Sequence, residues 1–154
     1  MTDSSGIYRV IDIQPGTDYK GNNCPMVSYE PVWGTDKKYT ATIPLKNIKG
    51  TGLRCVFSSK EVKTTIARLA MASEEVFVNY NSNEAKEVMY QNDLDKIIPL
   101  LQFLWLNQTT LKKNDKDLME QILENLAREM AFVTKSKLNK VKEEITGSLN
   151  KIAH

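Results

Sequence analysis

Cys24, Cys55 and the C-terminal His154 are the only cysteines and histidine in this 154-residue chain, and they bound its chemistry at once. A structural zinc site takes about four Cys or His ligands at close spacing, and no C-x-x-C pair is present. A catalytic imidazole must be held in one orientation by its neighbours, which a chain-terminal histidine is poorly placed to achieve. Ser-His and Cys-His hydrolysis are therefore not expected, and the two cysteines read as reduced thiols. The closest carboxylate pairs, Asp93 with Asp95, Asp115 with Asp117 and Glu143 with Glu144, sit where helices start or on charged faces, so they favour a helix macrodipole or solvent. Neither G-x-x-x-x-G-K-[ST] nor G-x-G-x-x-G occurs. The chain reads as a non-enzyme with no cofactor, no metal and no small-molecule substrate.

Composition narrows the class further. With 41% hydrophobic and 26% charged residues and a net charge of +2, the chain is an ordinary globular one. No polybasic block points to nucleic acid or to a membrane surface. The longest apolar stretch, residues 97–106, is interrupted by Pro99 and Gln102 and is shorter than the ~20 residues a membrane span requires. Met1–Gly6 has neither a basic head nor an apolar core, so no signal peptide is expected. A cytoplasmic location follows.

The elements that must position any functional residue change character near the middle of the chain. Residues 7–57 hold four of the five prolines and read as strands: Ile7–Ile13 stopping at Pro15-Gly16, Met26–Trp33, Tyr39–Pro44 and Leu53–Phe57. Four short strands with tight turns predict a small, strongly curved sheet or partial barrel. Pro31 and Pro44 lack a backbone donor, so their strands should lie at an edge or end near those residues. From Ser58 the period becomes helical. Ser58 with Glu61 forms a capping-box pattern before Val62, Ile66, Leu69 and Ala70. Ser82 or Asn83 caps a short helix over 84–91. Asp93 starts a helix carrying Leu94, Ile97, Ile98, Leu101, Leu104 and Trp105, with Pro99 expected to bend it. Asp115 or Asp117 starts another, with Met119, Ile122, Leu123, Leu126, Met130 and Val133 inward. Ser136 caps the last, with Leu138, Val141, Ile145, Leu149 and Ile152 inward. The fold class is α+β: a β domain over 1–57 and an all-α helical bundle over 58–154.

Three stretches in this order resemble the CarD-like transcription regulators of bacteria. Gly6–Ile13 is similar to that family's G-[VI]-x-x-[VI]-x-x-I strand. Tyr39–Asn47, followed by Gly52-Leu53-Arg54, is similar to its T-x-x-[VI]-P-x-x-N and G-[VLI]-R signature. Asn92–Trp105 and Leu118–Phe132, with Glu129-Met130-Ala131, resemble its helices. The resemblance implies an N-terminal Tudor-like (SH3-like) barrel that docks by strand addition on the β-subunit lobe of RNA polymerase, and a helical domain that meets promoter DNA at the upstream edge of the opening bubble. The matching docking residues are Lys37, Lys38, Tyr39, Thr40, Ala41, Thr42, Ile43 and Arg54. Residues 37–54 carry five basic side chains and no acid, which would steer them towards an acidic partner or simply solubilise an edge strand.

The chain departs from the family at two places. The aromatic wedge, usually Trp, and its basic cluster are missing; Phe77 or Tyr80 stands near the expected place, and Lys86, Lys112 and Lys113 are the bases available to phosphate. The strand that precedes Gly6 in the family has only Met1–Ser5 here, so either the start lies upstream or a partner completes the barrel. A protein–protein adaptor that uses the same barrel on another strand-presenting partner, without DNA, is the alternative function.

Overall fold

The structure, a computed structural model, describes residues 1–33, 38–73 and 80–153. It is α+β: a three-stranded antiparallel sheet precedes a series of helices. The chain divides into two compact units, Met1–Val56 with Tyr90–Asn92, and Phe57–Met89 with Asp93–His154.

In the first unit β1 (Ile7–Thr17), β2 (Asn23–Trp33) and β3 (Ala41–Pro44) lie in the order β1-β2-β3. β1 runs past the expected Pro15-Gly16 stop to Thr17, because those residues still pair with Pro25 and Cys24. The prolines set the hydrogen-bond parity. Pro31 lies opposite Tyr8, Pro15 opposite Pro25 and Pro44 opposite Met26, so each occupies a wide pair that exchanges no ladder bonds. Pro31 is in the central strand, but β3 pairs only with Met26–Tyr29, so the ladder has narrowed to two strands where the donor is missing. The register slips where Ile11 bulges between Val10 and Asp12. Opposed residues share a face, which puts Val10, Ile13, Val27, Tyr29, Ala41 and Ile43 on one side and Arg9, Asp12, Ser28, Glu30 and Thr42 on the other. On the polar side Ser28 and Thr42 hydroxyls are bonded at 2.9 Å, and Arg9 pairs with Glu30 at 3.5 Å.

Leu53–Phe57 is not a strand. Arg54 alone forms a bridge, exchanging backbone bonds of 2.8 and 3.0 Å with Thr2, which in turn bridges Ile7. A 3-10 helix over Leu45–Thr51 leads into this segment, and Gly52 follows it in the left-handed region at φ 74°. A Cβ there would lie 2.1 Å from the Tyr90 carbonyl oxygen. Asn92, also left-handed at φ 56°, donates through its amide to the Thr2 and Gly52 carbonyls at 3.2 and 3.1 Å. Arg54 Nε donates to the Asn92 carbonyl at 3.2 Å.

The second unit holds most of the apolar core. α1 (Ser59–Leu69) begins on the expected Ser58–Glu61 capping box. It is followed by α2 (Ser82–Gln91), α3 (Leu94–Leu106), α4 (Lys113–Thr134) and α5 (Leu138–Ile152). Leu69, Leu100, Leu101, Leu104, Ile122, Met130, Ile145 and Leu149 are essentially sealed from solvent, whereas among the described residues of the first unit Ile7 and Val27 alone are sealed to that degree. At about 1.5–3 kcal/mol per buried aliphatic side chain, apolar burial stabilises the helices far more than the sheet. Asp93 caps α3 through a bond from the Asp95 amide at 3.0 Å. Two other caps differ from expectation. α4 starts at Lys113 after Lys112, with Asp115 inside its first turn accepting from Ser82, and α5 starts after Lys137, with the Ser136 hydroxyl accepting from Thr134. Ile66, Leu94, Trp105, Val133, Leu138 and Ile152 are half-buried rather than core. The Trp105 indole reaches the edge of the bundle, where it donates to Asn150 at 3.2 Å.

Two polar side chains inside this core bind backbone. Gln102 donates to the carbonyls of Arg68, Leu69 and Met71 at 3.0, 3.3 and 2.7 Å, closing the C-terminus of α1. Glu129, only 2% exposed, accepts from the Phe57 amide at 2.8 Å. Among the described residues no helix is long and apolar enough to cross a membrane.

The β1–β2 loop is organised by Asp18, whose buried carboxylate takes the amides of Lys20 and Asn22, both at 2.9 Å, and pairs with Lys46. The Lys46 ammonium, followed by these amides, holds the Asp18 carboxyl at about 2. A carboxyl lowered on folding stabilises the fold above its unfolded value of about 4, and that contribution is lost as pH falls through the folded value. Stability should therefore drop between about pH 4 and 2 in the wild type, and Asp18→Asn should flatten that part of the profile in unfolding titrations. Gly52→Ala combines a left-handed backbone with a backbone clash and should cost about 3 kcal/mol or more in denaturant unfolding.

Candidate functional site

The candidate docking segment is placed by the end of the sheet. β3 is held to β2 along Ala41–Pro44, and among the described residues no strand pairs with its other edge. The parity set by Pro44 decides which groups face outward. Met26–Pro44 is a wide pair, so Val27–Ile43 and Tyr29–Ala41 are the bonded pairs and Ser28–Thr42 is wide again. The N–H and C=O of Thr42 consequently point away from β2, while those of Ala41 and Ile43 are spent inside the sheet.

Lys38, Tyr39 and Thr40 precede β3 and line a shallow cavity of about 390 Å³ together with Glu30 and Pro31. Tyr39 is 42% exposed. Tyr8 is buried, packs edge-on against Tyr29 with ring centres 5.4 Å apart, and hydrogen-bonds Tyr39. Burial first, then Tyr39 and the nearby Asp3 charge, raises the Tyr8 phenol well above its ordinary range. Tyr29 is raised in the same direction, chiefly by burial. Tyr8 and Tyr29 thus stay neutral behind the segment that Tyr39 begins.

Seven of the eight docking candidates fall within the described residues. Lys38, Tyr39, Thr40, Ala41, Thr42 and Ile43 come together as one continuous edge. Arg54 does not join them, since its backbone is bridged to Thr2 and its guanidinium bonds the Asn92 and Cys55 carbonyls. Lys37 lies outside the described residues.

The DNA-directed candidates belong to the helical unit. Tyr80 is half-buried, with its ring stacked on Phe103 at 5.1 Å and its hydroxyl donating to Asp115 at 2.9 Å. Ser82, in the first turn of α2, donates to the same carboxylate oxygen at 2.6 Å. Burial, followed by the Asp115 bond and charge, pushes the Tyr80 phenol up to about 12. Asp115 therefore joins the start of α2 to the start of α4, with Lys112 and Lys113 exposed beside it at the head of α4. Lys86 is exposed on α2. Phe77 lies outside the described residues.

Sequence patterns could not single out Asp115 as a tertiary acceptor or Glu129 as a backbone latch, because both look like ordinary helix carboxylates. The only hint was Glu129 standing next to fully apolar neighbours, Met130 and Ala131. Among the described residues no group of three or more His, Cys, Asp or Glu side chains is placed to hold a metal ion. Scanned against protein-family models and against curated proteins, the chain finds no match.

Removing the shared acceptor should loosen the junction of α2 and α4. Asp115→Ala leaves the Tyr80 and Ser82 hydroxyls without their acceptor and should cost about 2 kcal/mol in denaturant unfolding, whereas Asp117→Ala, at an exposed position, should stay within about 0.5 kcal/mol.

Proposed function

We propose that this chain is a non-enzymatic, CarD-like regulator of bacterial transcription that docks on the β-subunit lobe of RNA polymerase by strand addition at β3. The observation that carries the proposal is the outward-facing N–H and C=O of Thr42 on the last strand of the sheet, beside the cavity lined by Lys38, Tyr39 and Thr40. An added strand satisfies those groups, and the neighbouring cavity takes a side chain that sets its register. Lys38 and Lys46 lie on the same basic stretch, although Lys46 is already paired with Asp18. Lys38 is therefore the better steering charge for an acidic partner.

Two further features fit a Tudor-like barrel. Met1-Thr2 and Arg54 continue the backbone pairing beyond the start of β1, as a closing barrel requires. The Gly52-Leu53-Arg54 stretch and Asn92, which carry part of the family resemblance, are hydrogen-bonded to one another. The helical unit acts at promoter DNA through exposed Lys86, Lys112 and Lys113, and its contacts are with phosphate rather than by insertion of Tyr80, whose ring and hydroxyl are already engaged. Few phosphate contacts mean weak intrinsic DNA affinity, so polymerase docking supplies the localisation.

Strand addition predicts a position-specific proline effect. Thr42→Pro removes the outward donor but none of the β2 ladder, so it should abolish binding of the full chain to the isolated β lobe, measured by calorimetry, without changing the far-UV circular dichroism. Ala41→Pro removes a ladder bond and should unfold the edge itself. Thr42→Val should bind as the wild type does. Unchanged binding by Thr42→Pro overturns strand addition. A wild-type chain that fails to bind at tens of micromolar overturns the polymerase assignment and leaves the adaptor function, which promoter footprinting separates by the absence of added protection at the upstream bubble edge.

A further inference from the structure

The opposite edge of the same sheet is also open, and its residues are of another kind. The chain start pairs with the beginning of β1, Thr2 bridging Ile7 and Met1 exchanging backbone bonds of 2.8 and 2.7 Å with Tyr8. Beyond Tyr8 no described strand lies against β1. There Val10, Ile11 and Ile13 are 39, 50 and 58% exposed, an apolar run at a position where soluble sheets ordinarily place charge. Below it, Ile13, Pro15, Thr17, Cys24 and Pro25 line an open groove of about 690 Å³.

Backbone parity identifies the usable groups. Tyr8 bonds outward to Met1, so Arg9 bonds inward and Val10 outward. On the far side of the bulge, Pro15–Pro25 is a wide pair, so Gln14 bonds inward and Ile13 outward. Val10 and Ile13 each therefore present a free N–H and C=O, and Pro15 ends the run of donors.

We propose that β1 is a homodimer edge, pairing antiparallel with β1 of a second copy about a twofold axis so that Val10 of each copy lies opposite Ile13 of the other. In this register both bonded pairs form between outward-facing residues. The two residues between them, Ile11 and Asp12, are the same on both strands, so the bulge meets its own image and the register is kept. Val10 and Ile13 share the Val27–Tyr29 face, and the apolar surface continues across the axis. On the other face Arg9 comes diagonal to Asp12 of the second copy, twice by symmetry, within reach of a long side chain. Self-complementary spacing and this reciprocal charge pairing select a second copy over an unrelated strand. The β3 edge stays free, so the dimer is independent of polymerase docking.

Sedimentation equilibrium of the full chain over a wide concentration range tests the proposal. The wild type should associate to a dimer, and amide exchange at Val10 and Ile13 should slow as concentration rises. Ile13→Lys and Asp12→Arg, both at exposed positions, should each raise the dimer dissociation constant by about tenfold or more with unchanged circular dichroism, while Thr42→Pro should leave it unaltered. A wild type that sediments as a monomer throughout overturns the proposal, as does a dimer that Ile13→Lys does not weaken.

Discussion

The sheet unit depends on one side-chain amide. Asn92 donates to the carbonyls of Thr2 and Gly52, and its own carbonyl receives Arg54 Nε. These bonds gather three separated stretches of chain around a unit with few sealed apolar side chains. A small sheet with one buried face cannot stabilise itself by area alone. Directed hydrogen bonds then decide whether Thr2 and Arg54 extend the sheet or leave β1 without a neighbour at its start. Gly52 is demanded by the same arrangement, because the Tyr90 carbonyl occupies the space a Cβ would need.

The helical unit solves a different problem. Its apolar core is ample, and the polar groups within it serve mainly to finish backbone that the helices leave unpaired. Gln102 takes three carbonyls at the end of α1, and Glu129 takes the amide of Phe57 just before it. A buried carboxylate is costly unless it is hydrogen-bonded, so Glu129 restricts the core to arrangements that bring Phe57 to it. Asp115 does the same for the starts of α2 and α4. Recruiting Tyr80 into that junction separates its role from that of an exposed aromatic wedge.

The two sheet edges differ in chemistry although they belong to one short sheet. β3 is brief, basic in its approach and closed by Pro44; β1 is long, bulged, and exposes Val10, Ile11 and Ile13 before Pro15. Proline parity governs both, since each proline must sit where no ladder bond is needed and thereby dictates which neighbours face outward. A sheet with chemically distinct edges can engage two partners without competition.

The amino-acid pattern by itself determined the α+β order, the Ser58–Glu61 and Asp93 caps and most of the helical core, because capping and a 3.6-residue apolar period are local properties of the chain. It also placed the strand ending at Pro44 at an edge or end, where β3 (Ala41–Pro44) lies among the described strands, while Pro31 falls near the end of the central strand. Only the tertiary structure decided that Leu53–Phe57 contributes a single bridge, that Arg54 is spent on Asn92, and that Asp115 accepts hydroxyls instead of capping α4. In each case the deciding partner is distant in sequence: Thr2 and Asn92 for Arg54, Tyr80 and Ser82 for Asp115. A carboxylate or guanidinium carries the same local signature whether it meets water or a buried donor, and that choice is made by the fold that brings the partner to it.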